Sequence, residues 1–193
     1  MTEWAHPDEF DAQSIIATLN RHGVHYVVIG AFAAQLHGAP IPRTRDIDVT
    51  PASDAANLER LSSALLELNA RIRTPDVPEG LPFDHNGTSL GRSRIWNLMT
   101  PFGEFDISFV PSGTQGYDDL HRRAHIIESG GQPVPVADLD DVIRSKEAAG
   151  RPKDILQLPI LLQTARQLRT DREKAAARGQ QREAPGSGLD MGY

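Results

Sequence analysis

Two carboxylates stand two residues apart in the run Arg45-Asp46-Ile47-Asp48-Val49, and the residues between and after them are apolar. In a β-strand, residues i and i+2 point to the same face, so Asp46 and Asp48 project together while Ile47 and Val49 enter a core. Side by side, the two carboxylates repel and raise each other's pKa. A hard divalent cation removes that penalty, because Mg²⁺ or Mn²⁺ takes oxygen ligands in near-octahedral geometry. A third carboxylate has a similar setting: Asp106, in Glu104-Phe-Asp-Ile-Ser-Phe-Val110, is flanked by apolar residues and is expected mid-strand beside the first pair. An Asp-x-Asp on a strand edge is commonly just solvated, so the weight falls on the combination.

The surrounding pattern says what such a strand sits in. Pro7-Asp8 opens a helix expected over about 9–22, with Phe10, Ile15, Ile16 and Leu19 on one face and Gly23 at its end. A β-rich run over 24–29 predicts a buried strand, and after Gly30 the stretch 31–37 has helical composition. The strand at 45–49 precedes a helix capped by Asp54 and running to about Asn69, with Leu58, Leu61, Leu65 and Leu68 at helical spacing. Residues 74–92, rich in Pro, Gly, Asp and Asn, predict a loop. The segments 93–100 and 104–110 predict a hairpin, followed by a short helix over 116–123 and short strands at 125–128 and 134–136. Asp138 starts a helix through Ala149, Gly150-Arg-Pro152 breaks it, and a last helix is expected over about 153–169. This order predicts an α+β fold with an α/β-like core: a small mixed sheet flanked by helices, with a helical C-terminal segment. The expected organisation is a core over 1–137, a helical segment over 138–170 that completes the site, and a tail over 171–193 without fixed structure.

Gly30 gives the acid pair a partner. At a strand-to-helix junction it lets the backbone approach a phosphate closely, and the following residues, Ala31 first, offer backbone N–H groups. The interval from Gly30 to Asp46 fits one short helix and a loop, which would return both strand ends to one edge. A carboxylate cluster beside such a turn suits two-metal phosphoryl transfer, one ion activating a hydroxyl and the other neutralising a triphosphate. Lys146, near the end of its helix, and Arg151 and Lys153, just past the break, are placed to meet that triphosphate as cations. The bland alternative is a solvated helix end where cations favour the dipole. Asp154 would orient Lys146, orient an acceptor hydroxyl, or cap the last helix. Arg43 and Arg45 flank Thr44 just before the acid pair, placed to hold a triphosphate or to pair with the carboxylates.

Gly30-Ala31 followed by Asp46-x-Asp48 resembles the Gly-(Gly/Ser)…Asp-x-(Asp/Glu) signature of the polymerase-β-type nucleotidyltransferase superfamily. The fuller stretch Val27-Val-Ile-Gly-Ala-Phe-Ala-Ala-Gln-Leu-His-Gly38 with Arg43-Thr-Arg-Asp-Ile-Asp-Val49 resembles its AbiEii-type toxin branch, the MenT-like toxins of toxin–antitoxin systems. So does Asp138-Leu-Asp-Asp-Val-Ile-Arg-Ser-Lys146 with Arg151-Pro-Lys153-Asp154. The resemblance spans roughly residues 24–165. It implies a catalytic set of Asp46, Asp48, Asp106, Lys146 and Asp154. It further implies nucleotide binding by Gly30, Ala31, Arg43, Arg45, Lys146, Arg151 and Lys153, and Mg²⁺ or Mn²⁺ on the three aspartates. The implied substrates are an NTP and the 3′ end of tRNA, and the implied partner is a cognate antitoxin. Two positions depart from the pattern: Ala31 lacks the hydroxyl of a Ser, and Gln157 stands where related sequences often carry Asp. Thr44 shares the carboxylates' face, so its phosphorylation would repel a triphosphate and compete for metal, a restraint ascribed to antitoxins of related toxins.

Composition removes other classes. There are no cysteines, which excludes a disulfide scaffold or a cysteine zinc site and fits a cytoplasmic protein. No apolar run is long enough to suggest a membrane span, and the N-terminus lacks a secretory pattern. The 7 histidines show no ligand spacing. The net charge of −6 hides an acidic stretch over 1–143 and a basic one over 144–182. That basic stretch suits an RNA backbone, although a solvated helix reads the same way. The acidic stretch keeps open the same chemistry on an aminoglycoside, and a protein acceptor is also open. Ala31 alone favours an inactive nucleotide-binding, antitoxin-like module.

Overall fold

The computed structural model describes residues 10–183 of the chain. Helix α1, Ala12–Arg21, begins where the Asp11 carboxylate accepts from the N–H groups of Gln13 and Ser14. The expected start near residue 9 is therefore too early, and the opening Pro7-Asp8 lies outside the described residues. Strand β1, Tyr26–Ile29, is followed directly by α2, Gly30–Leu36, and then β2, Asp46–Pro51. Helix α3, Ala55–Glu67, is capped by Asp54, as its sequence anticipates.

The region expected as loop contains more. A two-residue strand β3, Arg71–Ile72, precedes it, and Ile72 bridges to Leu81. A single helical turn α4, Gly87–Leu90, is held by a reciprocal capping box of Asn86 and Ser89. Both are too short to leave a periodic signal. The expected hairpin is β4, Ile95–Thr100, and β5, Gly103–Ser108. Then come α5, Tyr117–His121, β6, His125–Ser129, β7, Gln132–Val136, and α6, Leu139–Ala149. Gly150 ends α6 in the left-handed region at φ 62°.

The last helix, α7, spans Pro152–Glu183 rather than stopping near Arg169. The polar run Asp171-Arg-Glu-Lys-Ala-Ala-Ala177 reads as tail by composition, but Arg, Glu, Lys and Ala are strong helix formers. So 171–183 is helical, and 184–193 lies outside the described residues. No helix among the described residues is long and apolar enough to cross a membrane.

Among the described residues, all strands join one mixed sheet in the order β3-β4-β5-β2-β1-β7-β6. Neighbours β2 and β5 run parallel, β1 and β2 antiparallel. Every residue of β1 is buried, so both faces of the sheet are covered at its centre. Ile47, Val49, Phe105 and Ile107 from the two central strands are fully buried. On one side α1 packs on α3; α2 packs on α6, which carries α7.

Candidate active site

The alternation along β2 works as its sequence requires. Ile47 and Val49 are fully buried, while Asp46 and Asp48 are only partly so. On β5, Phe105 and Ile107 bracket Asp106 in the same way. The parallel register then sets Asp48 opposite Asp106 and Asp46 opposite Glu104. Two strands far apart in sequence thus place three aspartates on one face, each offering an oxygen within 4.8 Å of the others. Among the described residues this is the one such cluster of possible metal-binding side chains.

Burial, reinforced by the charges of Asp46 and Asp106, pushes the Asp48 carboxyl up to about 7. Burial also raises Asp106, against the opposing pull of Arg73. Asp106 Oδ2 accepts from Arg73 at 2.8 Å, and Asp106 Oδ1 is buried without a hydrogen-bond partner. A hard cation suits this donor set. It would relieve the repulsion among three oxygens that the protein alone leaves poorly compensated.

Gly30 is where β1 gives way to α2, and it lies against the acids because Ile29 pairs with Asp48 in the antiparallel register. Its φ of 73° is in the left-handed region, and a β-carbon there would fall on the Asp48 carboxylate. Beside the aspartates is a cavity of about 200 Å³ reached by Gly30, Ala31, Arg43 and Thr44 from one side. Lys146, Arg151, Lys153 and Gln157 line its other side. Thr44 Oγ1 donates to Asp46 Oδ1. Gln157 Oε1 is buried and has no hydrogen-bond partner.

Asp154 does not face the cavity. It is fully buried beneath it, accepting from Lys146 Nζ at 2.8 Å and from Arg151 Nε at 2.6 Å. Burial would push its carboxyl up, but the hydrogen bonds and charges of Arg151 and Lys146 outweigh that and hold it below the usual range. Its side-chain partners are therefore Lys146, one of those its position in sequence leaves open, and Arg151. Lys146 is itself only 7% exposed, and an ammonium has three donors, so it keeps others for a ligand.

A second, larger cleft of about 940 Å³ adjoins the first across Asp46, Asp106, Arg151 and Lys153. Arg45 lines this cleft rather than the smaller cavity, which separates it from Arg43. So do Arg73 and Glu104, neither of which the sequence reading picked out. Ala70-Arg-Ile-Arg73 alternates like the Asp46 strand, but the run is too short to stand out. His37 and His125 do not line either cavity: His37 meets the Ala137 carbonyl and His125 meets Asp138.

The seven-stranded mixed sheet with helices packed on it matches, as a fold, solved nucleotidyltransferase structures. The lincomycin-bound lincosamide antibiotic adenylyltransferase LnuA is similar, with a TM-score of 0.52 and 13% identity over 80% of this chain and 98% of its own. The resistance factor ANT(2″)-Ia, in complex with adenylyl-2″-tobramycin, is similar with a TM-score of 0.51 and 14% identity, covering 86% of this chain and 94% of its own. The solution structure of ANT(2″)-Ia matches with a TM-score of 0.50 and 14% identity, over 87% of this chain and 92% of that one. No protein-family model matches the sequence, and no curated protein matches it.

Proposed function

We propose that this chain is a nucleotidyltransferase toxin of a toxin–antitoxin pair, moving a nucleoside monophosphate from an NTP to the 3′ end of tRNA and so blocking aminoacylation. The observation that carries the reaction class is the convergence of Asp46, Asp48 and Asp106 within 4.8 Å beside the glycine turn at 30. These three would hold Mg²⁺ or Mn²⁺. When bound, such an ion supplies charge neutralisation on the triphosphate and lowers the pKa of the attacking hydroxyl.

The chain's own groups divide the rest of the work. Arg43, Lys146, Arg151 and Lys153 surround the smaller cavity and would bind the triphosphate there. Asp154 holds Lys146 and Arg151 in place from below. The acceptor would enter through the larger cleft, whose junction with the cavity is walled by Asp46 and Asp106. Its oxygen would bond to the α-phosphorus, its proton would pass to Asp106, and pyrophosphate would leave with the electrons of the broken bond.

An RNA acceptor is supported by cations placed among the carboxylates of that cleft and along the helix that leaves it. Arg45, Arg73, Arg151 and Lys153 line the cleft, and α7, which begins at the site, continues with exposed Arg166, Lys174 and Arg178. Such cations suit a phosphodiester backbone. The toxin assignment rests on the sequence resemblance around Gly30, Asp46 and Lys146.

A second reading keeps the chemistry and takes an aminoglycoside as acceptor, favoured by the shared fold with ANT(2″)-Ia and by Glu79 and Glu104 in the cleft wall. One experiment separates the two. The protein is incubated with each labelled NTP and Mg²⁺, with total tRNA in one arm and tobramycin in another, against Asp48→Ala in both. Label at tRNA 3′ ends with loss of aminoacylation is expected. Label on tobramycin alone would replace the first reading with the second, and label in neither arm would remove both.

A further inference from the structure

Among the basic side chains of the cleft, Arg73 is bonded to two carboxylates of the neighbouring strand. Arg73 follows β3, and its backbone N–H donates to the Asn97 carbonyl at 2.9 Å, which fixes it beside the β4–β5 hairpin. From there its guanidinium forks onto β5. One nitrogen donates to Glu104 and the other to Asp106 Oδ2 at 2.8 Å. Glu104 and Asp106 are two apart on the strand, so both present to the same face, and a planar fork spans that spacing as a lysine cannot. Arg73 is only partly exposed, at 26% for its side chain.

Asp46 and Asp48 are differently held. They share strand β2, and Asp46 has its hydrogen bond from Thr44. Asp106 reaches the cluster from another strand, and among the described residues its side-chain donor is Arg73. We propose that Arg73 is a positioning residue, clamping Asp106 against Glu104 so that the third carboxylate is already aimed at the cation shared with Asp46 and Asp48. The proposal rests on the metal-centred reading above. Outer partners that orient a ligating carboxylate are worth about 10–100-fold in metal affinity or activity.

Charge must be separated from orientation, since removing a cation beside an acidic cluster strengthens cation binding by Coulomb attraction alone. The double variant Arg73→Gln with Glu104→Gln loses one charge of each sign and leaves the net charge of the cleft unchanged. Mn²⁺ binding to the nucleotide-free protein, followed by electron paramagnetic resonance, is the readout, with a melting curve to establish that each variant is folded. The double variant should bind Mn²⁺ about 10-fold more weakly than wild type. Arg73→Lys, which keeps the charge without the fork, should fall between the two. Wild-type affinity in the folded double variant would overturn the proposal, and so would tighter binding, which would make Arg73 a competitor of the cation. Absence of Mn²⁺ binding by the wild type is a different failure, since it would remove the metal site itself.

Discussion

The carboxylate of Asp48 occupies the space where a β-carbon on Gly30 would stand. The two residues come from neighbouring strands, Gly30 just beyond the residue that pairs with Asp48. The absence of a side chain is what lets the turn approach the acids, and the φ of 73° reinforces it. Gly30→Ala should cost stability through the left-handed backbone, about 1–2 kcal/mol. It should cost activity far more, because Asp48 must move. Denaturant melts compared with NTP-dependent transfer will show whether the loss of activity exceeds what unfolding accounts for.

Asp48 makes the metal-free protein sensitive to pH in a defined direction. Its folded carboxyl is raised to about 7, above the usual carboxylate value, so the native state binds the extra proton. The stability this contributes is fully present at low pH and is lost as pH rises from about 4 through about 7. Asp106, also raised, acts with the same sign. Asp48→Asn should therefore melt above wild type at pH 8 without metal, with the gap closing near pH 4. Mn²⁺ affinity of the wild type should weaken as pH falls below about 7, because the ion must displace that proton.

Loss of the carboxylate itself should be severe for chemistry. Asp48→Ala is expected to lower transfer by more than about 100-fold, exceeding the loss usual for an outer partner of a ligand. Initial-rate assays on protein shown to be folded would check this.

The buried pair of Lys146 and Asp154 yields a stability prediction. Asp154→Ala leaves the Lys146 ammonium in the interior without its acceptor, and should cost about 3–5 kcal/mol. Replacing both, as Lys146→Met with Asp154→Leu, should recover much of that loss while leaving transfer abolished. Urea unfolding alongside activity measurements distinguishes the two contributions.

Thr44 is the regulatory candidate. Its hydroxyl donates to Asp46 and lines the smaller cavity, where a triphosphate would lie. A phosphate on that oxygen would reverse it from donor to dianion and compete with the nucleotide for Lys146 and Arg151. Thr44→Glu should reduce NTP binding by more than about 10-fold, whereas Thr44→Val should retain most of it, as calorimetric titration can measure. Full binding by the Glu variant would remove Thr44 as a switch.

Much of the architecture is legible in order and period. The alternation in Asp46-Ile-Asp-Val49 predicts both a strand and its two faces, and the caps at Asp54 and Asp138 mark two helix starts correctly. The errors fall where local signals are short or ambiguous. Strand β3 and helix α4 are too brief to show a period, and the polar end of α7 carries helix propensity under a composition that suggests a tail.

Chain order was enough to nominate Asp46, Asp48, Asp106 and Lys146, because side-chain direction in a strand or helix follows from spacing within that element. Their meeting was settled elsewhere, in the parallel register of β2 with β5, which sets Asp48 beside Asp106. The clamp of Arg73 on Glu104 and Asp106, the burial of Asp154 under Lys146, and the division of the basic residues between a small cavity and a broad cleft arise the same way. Each depends on which segments, distant along the chain, pack as neighbours. That is the outcome of burying one shared core, and no local periodicity records it.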